Sequence, residues 1–345
     1  MTEIKASIPA PSVRIGETEG ISSATIQQLY FLMQLARRLD DRLWKLNRQG
    51  KVPFVLSCQG HEGISAGAGL ALNPQTDWIA PYYRDLPMVL TFGMTARDVM
   101  LGFYAKGEDP SSGGRQMPAH YGSLRRHILT GSSPVTTQIA HAAGVAWAEK
   151  LQGKAGVALA SLGDGSTNQG EFHEALNFAA VHKLPLLVLV QNNGFAISTP
   201  LDREMAITDI ARRADMYGIP GLTIDGRDPI AVYEAVKVAR AHAAAGYGPV
   251  LIEAKTDRLT PHSSDDDDSV YKSAELRVKE KASDVVTTFT AWLRTHGGMS
   301  AEEMSAVLHA VDDIVDDATI YAERAPWPDV HTLSTHVYAD ASSQF

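Results

Sequence analysis

Apolar residues recur along 23–46 as Ile26, Leu29, Met33, Ala36, Leu39 and Leu43, the three-and-four spacing of one helix face. A second helical pattern, rich in small residues, covers 60–71. The Pro74-Gln75-Thr76-Asp77 turn and the strand-like Trp78-Ile79-Ala80 come next. From 156 to 162 the chain is short and continuously apolar, as it is again from 186 to 190. Between them Phe172, Ala175, Leu176, Ala179 and Ala180 mark a helix over 171–181. Helices are expected over 137–151, 207–217 and 230–245, and strands over 221–225 and 249–254. Residues 274–323 read as helical, with Val307, Val311, Ile314, Val315 and Ala318 opposite Asp312, Asp313, Asp316 and Asp317. This alternation predicts an α/β fold with a doubly wound, mostly parallel sheet. The loop over 107–136 is too long for an ordinary connector and is expected to be functional.

Composition narrows the class. A chain of 345 residues with 44% hydrophobic content can bury a substantial core. No apolar run approaches the ~20 residues of a membrane helix. Residues 1–20 are polar and contain proline, which reads as a mobile arm rather than a signal peptide, so the cytoplasm is the expected location. The single cysteine, Cys58, excludes an internal disulfide and is expected to pack. With 31 Lys and Arg against 40 Asp and Glu, the net charge of −9 disfavours nucleic acid as a partner.

Candidate chemistry concentrates where two strands end. Gly163-Asp164-Gly165 closes the first apolar run and Asn192-Asn193 the second, with Asn193 following Asp164 by 29 residues. In a parallel β-α-β unit both strands finish on one edge, so a carboxylate and an amide oxygen converge there. Hard oxygen ligands suit Mg²⁺, which shares its shell with phosphate and water. Taken singly, Asp-Gly is a common turn pair, Ser132 to Gln138 an ST-turn before a helix, Arg84 a surface ion-pair partner and His262 a silent loop histidine. Rival phosphate motifs fail. Asn168 stands where a dinucleotide fingerprint needs glycine, Gly50-Lys51 and Gly153-Lys154 lack the upstream glycine of a P-loop, and His61-Glu62 is followed by Ser65 rather than a second zinc histidine.

The stretch 163–199 resembles the thiamine diphosphate motif of 2-oxo acid dehydrogenases. Residues 25–340 resemble the α subunit of the decarboxylating component of those complexes, branched-chain members most. That resemblance implies a thiamine diphosphate-binding fold, with an N-terminal arm and helix over 1–45, the cofactor domain over 46–273 and a C-terminal helical segment over 274–345. It implies Mg²⁺ bound by Asp164, Asn193 and the backbone carbonyl of Phe195, where phenylalanine replaces the usual tyrosine. Tyr83 and Arg84 would contact the diphosphate, and Gly163, Gly165 and Ser166 would form the cofactor turn. Ser132, Pro134, Thr137 and Gln138 would hold K⁺, while Ser133 and Val135 would touch the aminopyrimidine. His262 would contact the cofactor and assist acyl transfer to lipoamide.

The same resemblance raises questions around that histidine. Ser263 matches a serine phosphorylated in mitochondrial relatives. Asp265 is expected either to raise the pKa of His262 or to cap the next helix, and Asp267 and Asp268 read as a solvated charge run. Tyr82 and Gln191 replace the glutamine and arginine of human-like branched-chain sequences, which puts the substrate contacts in question. A pyruvate or acetoin specificity and a noncatalytic scaffold subunit are the alternatives. The chain offers no carboxylate for the aminopyrimidine. In the family that glutamate belongs to a β subunit, which implies an α₂β₂ heterotetramer serving a small 2-oxo acid and a lipoyl-bearing acyltransferase core.

Overall fold

The computed structural model describes residues 21–296, 298–335 and 337; the expected arm over 1–20 lies outside them. Five strands form one parallel sheet: β1 (Trp78–Ala80), β2 (Ala158–Gly163), β3 (Leu186–Asn192), β6 (Gly221–Asp225) and β7 (Val250–Lys255), in the order β1-β2-β3-β7-β6. Two short strands, β4 (Phe195–Ala196) and β5 (Thr199–Pro200), make a separate antiparallel pair just past β3.

Side-chain alternation explains the two covered faces. Ala158, Ala160 and Leu162 of β2, with Leu186, Val188 and Val190 of β3, pack on α5 (Thr137–Leu151) and α6 (Gly170–Val181). The intervening Leu159, Leu187 and Leu189 face the other way. There they share one core with α2 (Glu62–Ala71), α4 (Ala96–Phe103) and α8 (Pro229–Ala244). Every residue of β2 and β3 is buried, which is why both runs lack polar alternation.

The long helix α1 (Ser23–Arg48) starts where the Ser22 hydroxyl accepts the Thr25 amide, 3.1 Å away. Its first half packs on α10 (Val285–His296), and its second half joins the core that contains α11 (Ala301–Arg324). Packing is thus continuous across residues 45/46 and 273/274. The acidic face of α11 is exposed, and Asp312 and Asp317 pair with Arg38 and Arg97. The region 274–323 divides into three helices, α9 (Ala274–Ala282), α10 and α11. The expected helix over 207–217 is a 3₁₀ helix, Ile210–Tyr217. Two short helices complete the set, α3 (Leu86–Thr91) and α7 (Leu201–Glu204). Among the described residues no helix is long and apolar enough to cross a membrane.

Candidate active site

Because β1, β2, β3 and β7 run parallel, the segments that follow them emerge on one edge: Tyr82 to Asp85, Asp164 to Ser166, Asn193 to Phe195 and Arg258 to His262. They surround a cavity of about 450 Å³. Its wall includes Tyr82, Tyr83, Ser133, Val135, Gly163, Asp164, Gly165, Ser166, Phe195 and His262. One contiguous site therefore takes in most of the residues expected from the sequence.

Asp164 sits in the turn after β2 with its side chain buried, and its Oδ2 has no hydrogen-bond partner. Burial pushes this carboxyl up to about 7, the nearby Glu204 adds to the rise, and Arg258 and the Asn193 amide oppose it. Asn193 is buried beside it, and its Oδ1 accepts the Phe195 amide at 3.2 Å. Among the described residues no three His, Cys, Asp or Glu side chains gather as a metal site. The Asp164 carboxylate, the Asn193 amide oxygen and backbone carbonyls are hard oxygen donors, a set suited to Mg²⁺ that retains phosphate and water. The turn is also tightly fitted. A Cβ on Gly165 would lie 2.5 Å from the Ala196 Cβ, and one on Gly163 would lie 2.9 Å from the Tyr82 hydroxyl.

Arg84 is fully buried and does not form part of the cavity wall. One guanidinium nitrogen donates to the Ser57 carbonyl. The other donates to the His262 carbonyl at 2.9 Å and approaches His262 Nδ1 at 3.2 Å, while Nε has no acceptor. Since a guanidinium only donates, Nδ1 of His262 is the bare nitrogen and the proton resides on Nε2. Burial, then Arg84 and Arg258, push this imidazole down to about 4, with Asp266 pulling the other way.

The residue that answers His262 is Asp266. It accepts the His262 amide at 2.7 Å and the Tyr271 hydroxyl. Asp265 fulfils neither expected role: its side chain is exposed, close to the Ser264 hydroxyl, and the cap of the following 3₁₀ turn is Asp267. Asp268 departs from a solvated charge run as well, being buried and 4.0 Å from Arg277. Ser263 is buried in this loop.

The segment 132–138 is tied to the cofactor turn by two bonds. The Thr136 hydroxyl donates to the Ser166 carbonyl at 2.7 Å, and Gln138 Nε2 donates to the Ser161 carbonyl at 3.1 Å. Thr136 takes a left-handed conformation, φ 84°, to do so. Gln138 Oε1 is buried without a partner, an orphaned oxygen of the kind a K⁺ ligand set supplies. The Thr137 hydroxyl lies 3.3 Å from Glu171, while Ser132 and Pro134 stand toward the surface.

Several cavity or near-cavity residues escaped the sequence reading. His120 Nε2 lies 2.6 Å from the Ser133 hydroxyl, and Arg258 reaches the Ile197 carbonyl and the Tyr271 hydroxyl. Tyr82 does line the cavity, donating its hydroxyl to Tyr83 at 2.9 Å. Gln191 does not line it. It is fully buried in a network with His61, Asp85 and Ser161, so its departure from arginine bears on the interior rather than on a substrate wall.

Comparison with known proteins gives a consistent picture. The family model described as "Dehydrogenase E1 component" matches residues 30–331. The chain is 49% identical over 320 residues to the 2-oxoisovalerate dehydrogenase subunit alpha of Bacillus subtilis (strain 168), covering 93% of this chain and 97% of that protein. It is 37% identical over 319 residues to the 3-methyl-2-oxobutanoate dehydrogenase subunit alpha of Mycobacterium tuberculosis (strain CDC 1551 / Oshkosh), covering 92% and 83%. To the pyruvate dehydrogenase E1 component subunit alpha of Bacillus cereus it is 35% identical over 319 residues, again covering 92% and 83%.

Proposed function

The chain belongs to the dehydrogenase E1 component family, and from that premise we propose that it is the α subunit of a branched-chain 2-oxo acid dehydrogenase. It decarboxylates 3-methyl-2-oxobutanoate-type acids and passes the acyl group to the lipoamide of an acyltransferase. The observation that carries this reading is the unpartnered Oδ2 of Asp164, buried at the carboxyl edge of the sheet on the wall of a 450 Å³ cavity. The likeness to the 49% identical Bacillus subtilis protein favours the branched-chain substrate over the pyruvate named for the 35% identical relative.

Bound thiamine diphosphate supplies the electron sink for loss of carbon dioxide. The chain supplies the rest of this half-site. Asp164, Asn193 and the Phe195 carbonyl hold Mg²⁺ on the diphosphate, and Gly163, Gly165 and Ser166 let it approach the turn. Tyr83 and Arg84 serve the diphosphate end, Tyr83 on the cavity wall and Arg84 buried against its ring with an uncommitted Nε–H. Ser133 and Val135 orient the aminopyrimidine, while Ser132, Pro134, Thr137 and Gln138 hold K⁺ and keep that segment in place. His262, neutral and protonated on Nε2, holds the proton for the group that accepts the acyl chain. The first helix, the cofactor domain and the C-terminal helices, divided in the sequence at 45 and 273, pack as one body within the subunit, the first division falling inside α1.

A β subunit completes the site with the missing carboxylate, in an α₂β₂ assembly that docks on the acyltransferase core in the cytoplasm. Turnover measured for the purified chain with thiamine diphosphate and Mg²⁺, with and without the β chain, tests this. Decarboxylation is expected only with the β chain; robust turnover by the isolated chain overturns the shared site.

A further inference from the structure

Behind the Mg²⁺ edge lies a chain of buried polar groups that the function just described does not use. Gln191 Nε2 donates to Asp85 Oδ1 at 2.5 Å and to the Ser161 hydroxyl at 2.7 Å, which commits both of its N–H bonds. Its Oε1 therefore accepts, and the group facing it at 2.7 Å is His61 Nδ1. Asp85 is itself anchored, accepting the Tyr82 amide on Oδ2 at 2.8 Å. With the proton of His61 fixed on Nδ1, its Nε2 is a lone pair. The group before that lone pair is Asn193 Nδ2, 3.4 Å away.

The order of donors and acceptors thus settles which way the Asn193 amide faces. Its nitrogen faces His61 and its oxygen faces the Phe195 amide, whose N–H Oδ1 accepts while keeping a second lone pair. We propose that His61 is a positioning residue, which through the Gln191-fixed tautomer aims the Asn193 side-chain oxygen at the Mg²⁺ of the cofactor diphosphate. The inference rests on the proposed function for the presence of that ion. His61 and Gln191 stand behind Asn193 in this order of bonds, so an effect of either on the ion travels through Asn193. Outer partners that orient a metal ligand are worth about 10- to 100-fold in metal affinity.

Calorimetric titration of Mg²⁺ into the α/β assembly with thiamine diphosphate present tests the inference in four proteins: wild type, His61→Ala, Asn193→Ala and the double variant. His61→Ala is expected to weaken Mg²⁺ binding by about tenfold or more, and the double variant to be no weaker than Asn193→Ala alone. His61→Gln, whose amide oxygen takes the place of the Nε2 lone pair, should recover affinity to within about threefold of wild type. Equal Mg²⁺ affinity in His61→Ala and wild type overturns the inference, as does a loss that repeats in full on the Asn193→Ala background. If His61→Ala fails to assemble, Gln191→Met replaces it, with a loss of about threefold expected and none overturning the inference. A wild-type assembly without Mg²⁺-dependent cofactor binding overturns the proposed function instead.

Discussion

Replacing Asp164 with asparagine should stabilise the metal-free protein while abolishing its Mg²⁺ affinity. Burial holds this carboxyl at about 7 against an ordinary 3.8. Because the folded pKa is raised, the folded state binds the proton more tightly than the unfolded one. The stability contributed by this group is complete below the unfolded value and is lost as pH rises through the folded value. Each pKa unit is worth ~1.4 kcal/mol, so the ionised carboxylate costs at most ~4 kcal/mol above pH 7 in the absence of a cation. Asp164→Asn keeps the shape and removes the charge. Thermal melts of the metal-stripped assembly at pH 8 should rise by ~2 to ~8 °C in the variant. The fall in wild-type melting temperature between pH 4 and 7 should be smaller in the variant. In the same samples, calorimetry should find no Mg²⁺-dependent binding of thiamine diphosphate. A variant that melts at or below the wild-type temperature at pH 8, or that keeps the wild-type pH slope, shows that ionised Asp164 carries no burial cost.

Three further outcomes follow from the geometry. Arg84→Lys cannot hold the Ser57 and His262 carbonyls together and loses the stack 5.0 Å over Tyr83, so calorimetry should show cofactor binding weakened by ~30-fold, or ~2 kcal/mol. Affinity within twofold of wild type contradicts that. Gly165→Ala places a methyl 2.5 Å from the Ala196 Cβ, which should cost ~1–3 kcal/mol in denaturant unfolding and weaken cofactor binding, whereas an unchanged midpoint would show that the turn yields freely. For His262 the folded pKa is depressed to about 4, so its contribution to stability is present above the unfolded 6.5 and lost as pH falls toward 4. His262→Asn should reduce the rise in melting temperature across that window in cofactor-free protein, and an identical rise in wild type and variant argues against a neutral imidazole.

The sheet was legible because its strands are buried on both faces, and such strands read as unbroken apolar runs: 156–162 and 186–190 against the observed Ala158–Gly163 and Leu186–Asn192. The same period and spacing brought Asp164 and Asn193 to one edge. What sequence could not carry was partner choice at a distance. Asp265 and Asp266 are equivalent in a run of four aspartates, and only the path of the loop decides that Asp266 takes the His262 amide. Arg84 reads as a phosphate ligand, yet in the fold it also clamps the His262 loop across 178 residues of chain. His61 surfaced only as the start of a failed zinc motif. Its place depends on Gln191, 130 residues away, and on a hydrogen-bond order that no local pattern records. The 3₁₀ character of Ile210–Tyr217 was hidden because helical spacing over so few residues does not separate the two helix types.

On the proposed function, this chain supplies the Mg²⁺-diphosphate half of a site that decarboxylates branched-chain 2-oxo acids. This is tested most directly by co-expressing the chain with its β partner and comparing kcat/KM for 3-methyl-2-oxobutanoate and pyruvate. The branched-chain acid should be preferred, and turnover should vanish in Asp164→Ala. A preference for pyruvate of about tenfold, ~1.4 kcal/mol in transition-state discrimination, contradicts the substrate assignment, and undiminished turnover in Asp164→Ala contradicts the site.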